Sequence, residues 1–334
     1  MEVFVTAINK LIIIFLLVLI GCFAKKKDII DDCFVDKFSG FLTKIVVPCF
    51  IISSMQLSYT PELLQKGIVV FITCMIMHIW GILVGFGTGK LFRVPHMNLG
   101  IWVFSCMFAN IGFMGVPVIS MIFGGNSVFY CAFASAAFNL ASYTLGIWII
   151  GKYGDGSHPV QISLRQLVTL PVNIAIIIGI ILFIGNIQLP EAIGGTVKMV
   201  GDMIAPLAMI YIGAVLGRMP LREMIYDRWA YVISFIRLIV VPLTAYLMLR
   251  PFITDQLVLG VVIVGLSTPI GAYCAILAAQ YGADERTASR YIFISTALSI
   301  LTMPFFFFLF KEHGKERMCS VWIVKKCQNV PNAV

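Results

Sequence analysis

The feature that most constrains this sequence is a series of apolar runs, each about 20 residues long, separated by short polar breaks. A helix needs a run of that length to cross the hydrocarbon core of a bilayer. Only 12% of the residues are charged, and the mean hydropathy of +0.98 lies well above that of ordinary soluble domains. We therefore predict an all-α polytopic protein that is integral to the cell membrane. Its ten predicted transmembrane helices lie near residues 6–24, 38–57, 67–89, 98–123, 128–150, 167–186, 193–217, 229–250, 257–281 and 289–310.

The distribution of basic residues predicts how the chain is oriented. Loops that follow the odd-numbered spans carry thirteen lysine and arginine residues, whereas the opposite loops carry three. Cytoplasmic loops are the ones enriched in these residues, so both termini are expected to be extracytoplasmic. The tail after Phe310 departs from this trend, because its five basic residues would lie on the extracytoplasmic side. The net charge of +8 thus reflects membrane orientation, and no nucleic-acid partner is expected.

Prolines recur at matching places in the two halves of the chain. Spans two and seven each contain a proline within an apolar helix, at Pro48 and Pro206. In spans four and nine, glycine or small polar residues lead into Pro117 and Pro269. Because each half has an odd number of spans, the sequence predicts a 5+5 inverted repeat in which the broken helices four and nine cross. The predicted units are a first repeat at 1–150, a short cytoplasmic linker at 151–166, a second repeat at 167–310 and a tail of unknown structure at 311–334.

Each interrupted span is expected to form two half-helices, because a proline suits the first turn of a new helix better than the interior of an old one. In span nine, the hydroxyl of Ser267 or Thr268 would cap a half-helix that begins at Pro269. In span four, the second half-helix would begin near Val116 or Pro117 without a polar cap. Both new helix starts would face the middle of the membrane, where each carries about half a positive charge.

Two converging helix starts favour binding of an anion. Asn110 lies just before the first break, where it would either bind a carboxylate or hydrogen-bond the broken backbone. Asn139 in span five belongs to a polar stripe that faces either this crossover or a neighbouring helix. The predicted substrate-binding residues are Asn110, Gly115, Val116, Pro117, Asn139, Ser267, Thr268, Pro269, Ile270 and Gly271.

Few ionisable residues fall within the spans, and each is a candidate for function. Lys198 and Asp202 are four residues apart on one helical face, which favours a structural ion pair over a proton-coupling site for Asp202. Arg237 would either receive the anion in the inward-facing state or extend its head group to the cytoplasm. Lys44 is expected to extend to the interface, and His78 to be a hydrogen-bonded core residue.

The motif FANIGFMGVP in span four, together with the run from Pro269 to TALSILTMP at Pro304, resembles the auxin efflux carrier family. The closest likeness in layout is to short-loop members such as bacterial malate and malonate permeases. The resemblance implies a dimerising scaffold of spans one, two, six and seven, and a mobile transport domain formed by the other six. It also implies that Asn110 and the two crossover prolines surround a substrate carboxylate. One departure is Leu170 and Pro171 at the start of span six, where many relatives have Asn-Pro.

Three functions compete on the sequence alone. The first is a secondary transporter for a small organic anion, working as a homodimer in the lipid bilayer, with H+ or Na+ coupling left open. The second is a cation/proton antiporter, which needs an acidic residue at the crossover, and spans four, five and nine contain none. The third is a membrane-embedded enzyme, which we rank last because no catalytic motif is present. No cofactor, metal site or catalytic residue is expected. Of the nine cysteines, those inside predicted spans are expected to be core residues; they are Cys49, Cys74, Cys106, Cys131 and Cys274.

Overall fold

Over the residues that the structure describes, the fold consists of helices joined by short turns. The computed structural model describes residues 2–124, 126–155, 168–218 and 226–328, and within these ranges it contains no β-strand. We number sixteen α-helices in chain order, and four π-helical turns separately, over the described residues. They are α1 (Glu2–Lys26), α2 (Asp32–Phe41), π1 (Leu42–Val46), α3 (Val47–Ser54), α4 (Pro61–Leu91), α5 (His96–Met107), π2 (Ile111–Gly115), α6 (Val116–Phe123), α7 (Asn126–Ala141), π3 (Ser142–Gly146), α8 (Ile147–Lys152), α9 (Pro171–Ile184), α10 (Glu191–Asp202), α11 (Ile204–Gly217), α12 (Arg228–Phe235), π4 (Ile236–Val240), α13 (Val241–Leu249), α14 (Gln256–Leu266), α15 (Tyr273–Gln280) and α16 (Glu285–Gln328).

Every predicted span coincides with helical structure, but not always with one continuous helix. The described residues include helices that are long and apolar enough to cross a membrane, and others that are apolar but shorter. The count of ten spans and the inverted repeat therefore stay predictions. The predicted linker lies mostly outside the described residues, and α16 runs on to Gln328, well beyond the predicted end of span ten. The long apolar helices are Pro61–Leu91, Ser127–Lys152, Glu191–Gly217, Arg228–Leu249 and Glu285–Phe306; the shorter ones are Ile111–Phe123, Pro171–Ile184 and Gln256–Leu266.

Three of the four π turns are closely followed by a proline. Pro48, Pro117 and Pro242 each follow the end of a π turn by two residues. In each case the residue before the proline donates its N–H to the carbonyl five residues earlier, as Val116 does to Ile111. A proline in a regular helix removes one donor and pushes its ring against the carbonyl four residues back. The wider π turn absorbs this conflict, so these prolines do not end their helices.

The helices pack in two groups. One contains α1 to α3 and α9 to α11, and the other contains α4 to α8 and α12 to α16. In the first group, α1 and α11 cross at glycines: a Cβ atom placed on Gly21 would lie 2.0 Å from the carbonyl oxygen of Ile210, and one on Gly213 would lie 2.0 Å from that of Val18. Only residues without a side chain allow two helix backbones to approach so closely.

An ionic cluster joins α4 and α14 at one end of the second group. The ammonium of Lys66 lies 2.7 Å from Glu62 and 2.8 Å from Asp255. Both hydrogen bonds raise the pKa of Lys66, and the bond to Asp255 has the larger effect. Partial burial by itself raises the pKa of Asp255. The hydrogen bonds from Lys66 and from the backbone amides that Asp255 caps lower this pKa by more, so it lies below the usual range. The cluster therefore keeps both charges at neutral pH.

Candidate functional site

The interruptions of spans four and nine lie against each other. The segment between α5 and π2 and the segment between α14 and α15 form a short antiparallel bridge. The N–H of Asn110 donates to the carbonyl of Pro269 (N···O 2.7 Å), and the N–H of Gly271 donates to the carbonyl of Phe108 (3.1 Å). Each interruption thus satisfies backbone groups of the other, as buried backbone requires.

The second half of span four begins earlier than the sequence predicts. It starts at Ile111, with Asn110 as the capping residue, whose Oδ1 accepts a long bond from the N–H of Phe113 (3.4 Å). The predicted start at Val116 or Pro117 is wrong, because the π turn accommodates the proline within a helix that is already under way. Asn110 therefore does hydrogen-bond the broken backbone, which is one of its two predicted roles.

The second half of span nine begins later than predicted. Helix α15 starts at Tyr273, four residues beyond Pro269. The hydroxyls of Ser267 and Thr268 donate to carbonyls three residues earlier in α14, at 2.9 and 2.8 Å. They therefore complete the end of the first half-helix, and the prediction that they cap the second is wrong. The reason is that Pro269 lies in the unwound segment, where its carbonyl pairs with the other interruption.

A cavity of about 380 Å³ lies beside the paired interruptions, between the two groups of helices. Of the predicted binding residues, Asn110, Val116, Asn139 and Gly271 line it. Other polar lining residues come from α2, π1, α7, π3, α11 and α15. The predicted residues that do not line it are Gly115, Pro117, Ser267, Thr268, Pro269 and Ile270; the additional polar lining residues are Ser39, Thr43, Lys44, Ser135, Ser142, Tyr143, Tyr211 and Tyr273.

Among the described residues, three backbone N–H groups that lie at this cavity and belong to the two half-helix starts lack a hydrogen-bond partner. They belong to Gly112, in the first turn after the break in span four, and to Ala272 and Tyr273, at the start of α15. No acceptor among the residues that the structure describes bonds any of the three. Helix starts leave such groups unsatisfied, and a ligand with acceptor oxygens can satisfy them. Both half-helices therefore present donors to one space.

Lys44 contributes the cavity's charge. It extends from π1 and is the one cationic side chain among the described lining residues, which include no aspartate or glutamate. The cavity wall therefore includes one lysine, two asparagines and the unpaired backbone donors of both half-helix starts. Sequence reasoning assigned Lys44 to the membrane interface and did not place it here.

The two predicted charge-coupling residues, Asp202 and Arg237, do not line the cavity. Asp202 forms the predicted ion pair with Lys198, 2.6 Å apart and exposed. Arg237 is completely buried, so the prediction that it extends to the cytoplasm is wrong. His78 is a hydrogen-bonded core residue as predicted, with Nδ1 2.6 Å from the carbonyl of Cys74. The described residues contain no group of three or more His, Cys, Asp or Glu side chains that could hold a metal ion.

A side-chain hydrogen bond crosses from one helix group to the other at this cavity. Asn139 on α7 donates from Nδ2 to Oδ1 of Asn173 on α9, 2.7 Å away. The sequence pointed to Asn139 as a second candidate for binding, whereas Asn173 is only the asparagine two residues after Pro171. It could not show that they meet.

Comparison with known proteins decides the class. A family model described as "Membrane transport protein" matches residues 6–307, which is nearly the whole chain. The chain belongs to the auxin efflux carrier family of membrane transporters. This family member is 25% identical to an uncharacterized transporter of Methanocaldococcus jannaschii over 302 residues, covering 88% of this chain and 96% of the relative. It is 26% identical to an uncharacterized transporter of Methanothermobacter thermautotrophicus over 311 residues, covering 90% and 98%. The predicted family is confirmed, and the protein is an integral membrane transporter.

Proposed function

We propose that this protein is a secondary transporter that carries a small organic anion, a carboxylate, across the cell membrane by alternating access. The observation that carries the proposal is the set of unpaired N–H groups of Gly112, Ala272 and Tyr273, which belong to two helix starts and line one cavity. A carboxylate has two oxygens that can accept several such bonds at once. Bonds from N–H groups to a charged acceptor are the strong ones, worth about 1.5–3 kcal/mol each.

The charges around the cavity favour an anion over a cation. Cation/proton antiport requires a carboxylate that exchanges a proton for the metal ion. The described lining offers Lys44 and no acidic residue, and Asp202 is engaged elsewhere with Lys198. The family and the absence of a catalytic motif in the sequence likewise support a carrier rather than an enzyme.

The two groups of helices suggest how access would alternate. The group of α1 to α3 and α9 to α11 corresponds to the scaffold implied by the family resemblance, and it would form the homodimer. The second group, which carries both interruptions, would move against it and open the cavity to either side. A monovalent anion that leaves a cytoplasm at −100 mV gains about 2.3 kcal/mol, so export needs no coupling ion, whereas import would need H+ or Na+.

The test is uptake by proteoliposomes that contain the purified protein. Labelled malate, malonate, 2-oxoglutarate and indole-3-acetate would be compared with and without an imposed potential and a sodium gradient. We expect saturable uptake of at least one carboxylate, with an accumulation that follows the imposed potential. A proton or sodium flux that needs no anion would contradict the proposal.

Replacing Asn110 with alanine should weaken binding at this site. We expect KM to rise at least about tenfold, because one hydrogen bond to a charged acceptor and the cap of the half-helix are both lost. Ser120→Ala is the matched control. It removes a hydroxyl in α6 that donates to the carbonyl of Pro117, and Ser120 does not line the cavity. Unchanged KM in Asn110→Ala, with normal insertion, would remove Asn110 from the binding site.

A further inference from the structure

Arg237 poses an electrostatic problem that the proposed transport function does not explain. Arg237 lies in π4, and its side chain is completely buried. Among the described residues no carboxylate lies within ion-pairing distance, and Nε and Nη2 have no hydrogen-bond partner. Burial of an unpaired guanidinium is costly, so a negative potential must be present nearby.

The hydrogen bond that the Arg237 side chain makes to a described residue shows where that potential lies. Nη1 donates to the carbonyl oxygen of Cys106, 3.2 Å away, at the end of α5. In an uninterrupted helix this carbonyl would accept from the N–H of Asn110, four residues on. That N–H instead donates to Pro269 across the bridge. The interruption therefore leaves the Cys106 carbonyl without its helical donor, and Arg237 provides a replacement.

The end of α5 also carries about half a negative charge, because the dipoles of its peptide units add along the helix. A partial negative charge directly before Asn110 would repel an anion bound at the interruption. A buried cation at that point compensates for it. The guanidinium occupies a position where carbonyl groups of a half-helix end could otherwise coordinate a metal cation.

The other interrupted helix solves the same problem differently. At the end of α14, the hydroxyls of Ser267 and Thr268 donate to the last carbonyls, and both donors are neutral. In the described part of the chain, a cationic side chain donates to the end of the first half-helix only at the interruption of span four. The two crossover helices therefore differ in charge although they match in backbone pattern.

We propose that Arg237 is a positioning residue that serves as a built-in cation at the carbonyl end of α5. It holds the interruption open by replacing the missing backbone donor, and it neutralises the helix end so that no metal ion is needed there. The residue acts on the anion site through the backbone and does not touch the substrate. The inference concerns the same broken helix as the proposed anion site, but its test uses no substrate.

The experiment compares Arg237→Gln and Arg237→Lys with the wild-type protein in detergent. Thermal midpoints would be measured in sodium chloride and in N-methylglucamine chloride at equal ionic strength. We expect the wild type and Arg237→Lys to be insensitive to sodium. Arg237→Gln should unfold several degrees earlier, and sodium should restore part of that loss by occupying the vacated position.

Amide hydrogen exchange provides the second measurement. In Arg237→Gln, peptides that cover residues 104–112 and 266–274 should exchange about tenfold faster, the change expected when one hydrogen bond to a charged group is lost. Peptides from α1 and α11 should be unaffected, which shows that the variant is folded. Wild-type exchange in Arg237→Gln would overturn the proposal, as would a sodium shift of the wild-type midpoint. If neither Arg237→Gln nor Arg237→Lys folds, the shape of the guanidinium and not its charge is required, and the proposal also fails. If the wild type carries no anion but these results hold, the proposed function fails and this inference stands.

Discussion

At the scale of single residues, Lys44 sets the charge of the cavity. It lies in π1, a turn that contains an extra residue and so changes which side chains share a helix face. A periodicity of 3.6 residues per turn cannot account for that change. The position of Lys44 therefore depends on a local feature that apolar patterning does not show.

Substitution of Lys44 with methionine should weaken the binding of an anion. We expect KM to rise about fivefold, because an ion pair accessible to water is worth up to about 1 kcal/mol. Lys37→Met on the same helical run is the control, since Lys37 is exposed and does not line the cavity. Lys44→Arg should preserve KM, and the effect of Lys44→Met should shrink at high salt. The measurement is initial uptake by proteoliposomes over a range of substrate concentrations. Equal KM values for the two methionine variants would show that Lys44 does not interact with the substrate.

At the scale of helices, α1 and α11 depend on glycine for their contact. The backbone of each helix lies where a side chain of the other would have to be placed, at Gly21 and at Gly213. Close backbone contact of this kind replaces the hydrophobic effect, which does little between helices in lipid. The first group of helices should therefore be sensitive to even one added methyl group.

Gly213→Ala should destabilise the protein by about 1–3 kcal/mol, the usual cost of overpacking. Its Cβ would meet the backbone of Val18, which cannot turn away as a flexible side chain would. Gly87→Ala in α4 is the control, since nothing lies within 4 Å of a Cβ placed there. That control should be as stable as the wild type or more so, because alanine favours a helix over glycine. Thermal unfolding in detergent distinguishes the two, and equal midpoints would refute the contact.

The positions of the helices were largely predictable, but the positions of the breaks within them were not. Each predicted apolar run coincides with helical structure, and the prolines marked spans four and nine as interrupted. The start of each half-helix was misplaced by several residues, because Pro117 is absorbed by a π turn and Pro269 is held in the unwound segment by Asn110. That hydrogen bond joins residues far apart in the chain, which no local pattern reveals. Most of the cavity lining was missed for the same reason, since it comes from helices that only tertiary packing brings together.

At the scale of the whole molecule, transport would require the two groups of helices to slide or rotate past each other. Asn139 and Asn173 lie on opposite sides of that boundary and are hydrogen-bonded. Their contact must break or shift if the second group moves against the first.

A disulfide at this contact should therefore stop transport. Oxidation of the double variant Asn139→Cys with Asn173→Cys should abolish uptake, and reduction should restore it. Each single variant, treated identically, controls for the native cysteines. Mass spectrometry would confirm the cross-link, and full uptake by cross-linked protein would contradict movement at this boundary.

The bridge between the two interruptions has a consequence for biosynthesis. Asn110 and its partner Pro269 are separated by about 160 residues, and a ribosome adds about 5–20 residues per second. For roughly 10 to 30 s the newly inserted first half thus holds a broken helix whose amide and carbonyl groups have no complement. The insertion machinery or its water-filled interior has to shelter those groups until the second half arrives, so the nascent chain should stay associated with that machinery longer than a protein of unbroken helices would.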